Sequence, residues 1–220
     1  MARAALFDVD GTLADTNHLH VVTWWEAFRQ AGHTVPMPAI HRAVGLGSED
    51  LIERLLGEDR DREGDAALSA AHKTLYGTYF DRLPAFRGAG DLLRAVAGRG
   101  WRVVLVTSAS GGELDALRSA VDADSAILDT ASSDDVAEGK PAPEPVRHAL
   151  ELAVVDAADA VFVGDTVWDM RTAVRAGVRA VALLSGGLPR EDLVEAGAHT
   201  VYEDAADLLA HLDDSPFGAS

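Results

Sequence analysis

Leu6-Phe7-Asp8-Val9-Asp10-Gly11-Thr12-Leu13 ends a short apolar run on two carboxylates one residue apart and follows them with a Gly-Thr turn. The run from Ala4 to Phe7 reads as a buried strand, which delivers both acids to its carboxyl end. Two carboxylates buried this close together repel unless a cation or unequal protonation relieves them. An isolated Asp-x-Asp is commonly a solvated strand-to-helix loop. Three later stretches argue instead for chemistry.

Working outward, residues from Thr16 to about Leu83 carry helical periodicity throughout and no strand pattern. Val21, Trp25 and Phe28 share one face of a first helix, with Trp25 read as core; His20, Trp24, Ala27 and Ala31 share another, read as packing on the core domain. Gly32 and Pro36 end this helix and Pro38 opens the next. Further helices are predicted over Ser48 to Leu56 and Asp65 to Asp81. After Pro84 the chain alternates: helix Gly88 to Ala97, strand Arg102 to Val106, helix Gly112 to Ala120, strand Ala126 to Leu128, then helix Pro143 to Leu152. Strand Ala160 to Val163, helix Trp168 to Ala176, strand Arg179 to Leu183, and a last strand and helix within Thr200 to Leu212 follow. This predicts an α/β fold, a Rossmann-like parallel sheet core with an inserted α-helical domain. The core is residues 1–15 and 84–220, the insertion residues 16–83. The tail from Asp213 to Ser220 is polar and read as frayed.

The 220 residues include no cysteine, which excludes disulfides and thiolate metal sites and favours a cytoplasmic location. No apolar run approaches the roughly 20 residues that span a bilayer, so no membrane partner is expected. Nineteen basic against 36 acidic residues give a net charge of −17, which repels nucleic acid. An anionic small substrate is repelled too, so a phosphate site needs a local positive field from a metal, a lysine or backbone amides. A monomer is expected.

Ligands of open parallel sheets lie at the carboxyl ends of the strands. The residues there are Asp8, then Thr107-Ser108 after Val103 to Val106, then Asp165 after Val161 to Gly164; Lys140 lies in the turn Gly139-Lys140-Pro141. Each has a plain structural reading. Thr107-Ser108 can cap the next helix, Lys140 can be a solvated lysine, and Asp165 and Asp169 can complement a helix dipole. Their joint occurrence, in this order, is what carries weight.

Asp8-Val9-Asp10-Gly11-Thr12, Val106-Thr107-Ser108, Gly139-Lys140-Pro141 and Gly164-Asp165-Thr166-Val167-Trp168-Asp169 resemble the four motifs of the haloacid dehalogenase superfamily, most of whose members are phosphohydrolases. The helical stretch sits where many members carry an α-helical cap. The resemblance implies a phosphatase in which Asp8 is the nucleophile, forming an aspartyl-phosphate, and Asp10 the general acid and then base. It implies Mg²⁺ held by Asp8, Asp165 and the Asp10 carbonyl, with Asp169 reaching a metal-bound water or orienting Lys140. Thr107 and Lys140 would hold the phosphoryl group, with Ser108 and His20 as further substrate-binding residues.

The substrate class implied is a small phosphorylated metabolite, phosphoglycolate or a sugar phosphate. His20 also resembles a histidine of the β-phosphoglucomutase-like branch. Against a mutase, Gly45-Leu46-Gly47-Ser48-Glu49-Asp50 holds no basic residue for a second phosphate, leaving Arg42 or Arg54 to substitute, and Gly164 stands where mutases tend to carry an acid. A non-catalytic regulatory protein on the same fold is the rival from another class, weakened by the presence of Asp8, Asp10, Lys140, Asp165 and Asp169 together. Trp168 is read as packing at a helix start, and Gly111-Gly112 and Ser185-Gly186-Gly187 as turns, with Ser185 after a strand where it could line the cleft. His18, His33, His41 and His72 form no metal-ligand spacing, and Glu203, Asp204 and Asp207 read as solvated surface.

Overall fold

In the computed structural model, which describes residues 2–218, the apolar run before Asp8 is strand β1 (Arg3–Phe7). Helices α1 (Asn17–Gln30), α2 (Met37–His41), α3 (Ser48–Leu56) and α4 (Asp65–Gly77) follow without an intervening strand. The remainder alternates: α5 (Ala89–Gly98), β2 (Trp101–Val106), α6 (Gly111–Val121), β3 (Ile127–Ala131), α7 (Glu144–Ala153), β4 (Ala160–Gly164), α8 (Val167–Ala176), β5 (Arg179–Leu183), α9 (Arg190–Glu195), β6 (Thr200–Tyr202) and α10 (Ala205–Ala210).

The six strands form one parallel sheet in the order β3-β2-β1-β4-β5-β6. The chain runs outward from β1 through β2 to β3 and then crosses back to β4, so β1 borders the point where the winding direction reverses. Crevices at such points, outside the strands' carboxyl ends, are where these sheets bind ligands. Phe7 pairs with Leu105 on one side and Val163 on the other. This register brings Asp8 level with Val106 and Gly164, so three polar loops leave the sheet side by side.

Alternate side chains of β1 feed two cores, as a strand covered on both faces requires. Ala5 and Phe7 pack with Leu92, Leu105, Val163 and Leu208 on one face; Ala4 and Leu6 pack with Val104, Val146, Phe162 and Met170 on the other. A third cluster lies within the helical insertion, where Trp24, Phe28, Ile40, Leu51 and Ile52 meet Trp168 from α8. Two backbone hydrogen bonds join the ends of the insertion, Asp15 N–H to the Pro84 carbonyl (2.9 Å) and Phe86 N–H to the Leu13 carbonyl (2.9 Å). Among the described residues no helix is long and apolar enough to cross a membrane.

Several expectations need correction. The tail is docked as far as it is described: Phe217 is fully buried, stacks on Phe7 at 6.0 Å and meets Trp101 edge-on at 5.0 Å, and Arg99 bonds the Leu212 carbonyl and Asp213. One aromatic residue in a polar segment shows no periodicity, and so the anchor is invisible in the pattern. Ala219 and Ser220 of that tail lie outside the described residues. On α1, Trp24 is buried within the insertion's own cluster, whereas Trp25 is half-buried at its margin and Ala31 lies past the helix end. Helix α4 stops at Gly77 rather than Asp81, β3 extends to Ala131, and the short α9 had no sequence signal strong enough to mark it. Asp204 and Asp207 are structural acids, since Asp204 accepts the Asp207 N–H to cap α10 and Asp207 accepts the Glu203 N–H.

Candidate active site

The loop after β1 wraps tightly on Val9, whose carbonyl accepts the N–H groups of Thr12, Leu13 and Ala14. Gly11 takes φ of +75°, and a Cβ there would lie 2.3 Å from both Asn17 Nδ2 and Asp165 Oδ2, so only glycine fits. The turn carries Asp8 and Asp10 apart, into different environments.

Asp8 is almost wholly buried, and Lys140 Nζ donates to its Oδ1 at 2.5 Å. The same ammonium pairs with Asp169 Oδ1 at 2.7 Å. Asp169 Oδ2 in turn accepts the N–H (3.0 Å) and hydroxyl (2.6 Å) of Thr166, which caps α8. Asp165 is fully buried and accepts from Thr12 Oγ1 at 2.8 Å and Asn17 Nδ2 at 2.9 Å. Ligand oxygens of Asp8, Asp165 and Asp169 all lie within 4.8 Å of one another.

Three buried carboxylates therefore share one ammonium. Burial, and then the neighbouring acids, raise Asp8 well above the usual carboxylate range despite Lys140. Burial and Asp169 raise Asp165 to about 7 despite its two hydrogen bonds. Burial opposes the charge of Lys140, but Asp169 and Asp8 outweigh it and push the ammonium's pKa up. The uncompensated negative charge and all-oxygen donor set fit a hard divalent cation. Asp169 has one oxygen against Lys140 and the other against Thr166.

Asp10 faces away from this group. Its Oδ1 accepts from Thr16 Oγ1 at 2.6 Å and lies 3.1 Å from His20 Nε2. Burial would raise Asp10, but His20 and Thr16 overcome it and hold the carboxyl low; burial would lower His20, but Asp10 overcomes it and holds the imidazole high. Behind His20 stands His72, whose Nε2 is 3.5 Å from His20 Nδ1, stacked on Trp24 at 4.1 Å and kept neutral by burial.

A cleft of about 1090 Å³ opens between the insertion and the strand ends, lined by Lys140, Thr107, Ser108, His20 and Glu113 among others. Thr107 is buried and its Oγ1 accepts the Ala109 N–H at 3.0 Å; it does not cap α6, whose N-cap is Ser110. Ser108 is exposed at the cleft. Two side chains tie the insertion to the core, Trp168 Nε1 donating to the Arg42 carbonyl at 3.1 Å and His41 Nε2 lying 2.8 Å from the Gly186 carbonyl. Ser185 donates to the Gly11 carbonyl at 2.7 Å and so braces the turn after β1 instead of lining the cleft.

Sequence reading missed Thr12, Thr16, Asn17 and Glu113. The first three follow Asp10 closely enough for a capping signal, but nothing in their spacing shows which carboxylate each will meet. Glu113 looks like an ordinary first-turn acid of α6.

Comparison with known proteins agrees with this geometry. The family model of haloacid dehalogenase-like hydrolases matches residues 2–177. A phosphoglycolate phosphatase of Rhodospirillum rubrum is 31% identical over 94% of this chain and 90% of its own. Among solved structures, a hydrolase from Pseudomonas syringae superposes with a TM-score of 0.91 at 32% identity, covering 96% of this chain and 98% of that one. CbbY from Rhodobacter sphaeroides, solved in complex with phosphate, superposes with a TM-score of 0.77 at 28% identity, covering 97% of this chain and all of that one. With its acids, lysine and threonine gathered near the strand ends and the matched model covering β1 to β4 and the helices between them, the chain belongs to the haloacid dehalogenase-like hydrolases.

Proposed function

We propose that the protein is a phosphatase that hydrolyses a small phosphorylated metabolite through an aspartyl-phosphate on Asp8. The observation that carries this reading is the separation of two carboxylates from one turn. Asp8 is paired to an ammonium and set among metal-type oxygens, while Asp10 is paired to an imidazole on the cleft side. Two acids made unlike by their surroundings can take unlike roles.

In this reading Asp8 attacks phosphorus as the ester oxygen leaves, and Asp10 protonates that oxygen. The proton for this step rests on His20, which Asp10 holds high, and passes to the leaving oxygen through Asp10, 3.1 Å away. Asp10 then takes a proton from water, which attacks phosphorus and frees Asp8. Lys140 and Thr107 neutralise and bind the phosphoryl oxygens. Asp8, Asp165 and the Asp10 main-chain carbonyl would hold Mg²⁺, with Asp169 at its outer shell through Lys140 or a water. The ion supplies countercharge to the phosphoryl group when bound.

The chain divides in this reading into a core of residues 1–15 and 84–220 and a cap of residues 16–83, which opens to admit substrate and closes to exclude water. Hydrolysis rather than a mutase reaction is supported at Gly164, where an added Cβ would lie 2.5 Å from Asp169 Cβ. A side chain of any kind there would force Asp169, and with it the Asp169–Lys140 pair, to shift.

The test is phosphate release from 2-phosphoglycolate, hexose phosphates, nucleotides and β-glucose 1-phosphate, with Mg²⁺ and with chelator. Chelator-sensitive release from a few related esters is expected. Glucose 6-phosphate formed from β-glucose 1-phosphate with little free phosphate would establish a mutase instead. No turnover of any ester by folded protein that binds Mg²⁺ would contradict the phosphatase reading.

A further inference from the structure

Glu113 stands in the first turn of α6, with a carboxyl oxygen within 4.8 Å of both the Asp10 carboxylate and a His20 ring nitrogen. It is half-buried, lines the cleft, and makes no hydrogen bond or ion pair with any described residue. The hydrolysis described above gives it no task. Its oxygens are open to the cleft, where a group on an entering molecule can meet them.

We propose that Glu113 is a specificity-determining residue. It rejects leaving groups with a negative charge next to the scissile oxygen and accepts a hydrogen bond from those with a hydroxyl there. This rests on the reading of Asp10 as the acid at that oxygen. To protonate it, Asp10 must come within about 3 Å, so atoms one or two bonds beyond the oxygen lie within reach of Glu113. In 2-phosphoglycolate the carbon bearing the ester oxygen also bears the carboxylate, which then stands against Glu113. Like charges juxtaposed in a poorly solvated cleft repel strongly. In a polyol phosphate the same place holds a hydroxyl, a donor for which the unpartnered carboxylate is the acceptor.

The rest of the cleft has the same sign. Glu49, Asp50 and Glu138 line it, with Glu53 paired to Arg60 and Arg62; of its cations Lys140 is paired to Asp8 and Asp169, Arg175 donates to the Pro141 carbonyl, and Arg54 lies over the Trp168 ring at 4.8 Å with its charge retained. Burial raises the Glu113 carboxyl to about 7 against the attraction of His20 and then of Lys73, an exposed residue that also lines the cleft, so Glu113 is largely ionised at pH 8. A preference for a carboxylate leaving group would mean that Lys73, and not Glu113, reads the substrate. The class assigned is therefore the phosphate ester of a neutral polyhydroxy compound.

The experiment compares 2-hydroxyethyl phosphate with 2-phosphoglycolate, which share one skeleton and differ as CH₂OH and COO⁻, using full-length enzyme with Mg²⁺ at pH 8. The wild type is expected to favour the hydroxyethyl ester by about tenfold or more in kcat/KM, and Glu113→Gln to narrow that ratio about tenfold. A ratio of two substrates on one preparation is independent of the fraction folded. A wild-type preference for 2-phosphoglycolate, or a ratio unchanged in Glu113→Gln, overturns the proposal while leaving the phosphatase reading intact. Turnover of neither ester, nor of any in the wider panel, overturns both.

Discussion

Asp10 shows how much one contact decides. Asp8 and Asp10 have the same side chain and sit one residue apart, yet the turn at Gly11 sends one to Lys140 and the other to His20 and Thr16. An acid that protonates the leaving oxygen matters most when that oxygen is a poor leaving group. Asp10→Asn is therefore expected to lower kcat/KM for an alkyl phosphate by about 10²–10⁴-fold. For an aryl phosphate with an acidic leaving group, release of the alcohol should fall much less. Steady-state and single-turnover rates on both esters check this, and equal losses in the first displacement would remove Asp10 from the acid role. Asp8 and Asp165 were legible because they follow apolar runs at strand ends, whereas Asp10, Lys140 and Asp169 were legible only through the motifs that contain them. The partners Thr12, Asn17 and Glu113 were not, because a hydroxyl, amide or lone acid near a helix start serves capping as readily as catalysis.

The elements were read closely where periodicity was strong. Helix α3 and strand β5 have the bounds expected of them, and the all-helical character of residues 16–83 is reproduced in α1 to α4. Misreadings fell where burial comes from a single distant contact. Phe217 fills the space between Phe7 and Trp101 beneath the sheet, so the polar tail around it is held in place. Phe217→Ala is expected to cost about 3–5 kcal/mol, a fall in Tm of about 6–20 °C for a chain of this size. Calorimetry or denaturant unfolding measures it, and a loss below about 1 kcal/mol would show that the tail adds little. Trp168 is the opposite case, a residue correctly expected at a helix start that proves to belong to the insertion's core as well, through its ring and its bond to the Arg42 carbonyl. That double membership depends on how the insertion sits over the sheet, which no local pattern encodes.

Across the whole molecule, the strand order places β1 between β2 and β4, and so sets Asp8, Thr107 and Asp165 on three adjacent strand ends. A surplus of 17 negative charges makes the surface as a whole unfavourable to a phosphate ester. Attraction must come from the lysine and the cation that the three acids call for, inside the cleft. In the proposed function this centre divides hydrolysis into two displacements on Asp8. Its most direct test is acid-quenched turnover of a radiolabelled phosphate ester followed by peptide mapping, in the wild type and in Asp10→Asn, where loss of the base slows the second displacement. A hydroxylamine-labile label confined to the peptide containing Asp8, and absent in Asp8→Asn, is the expected result. Turnover with no protein-bound label in either form, or a label on another residue, would contradict it.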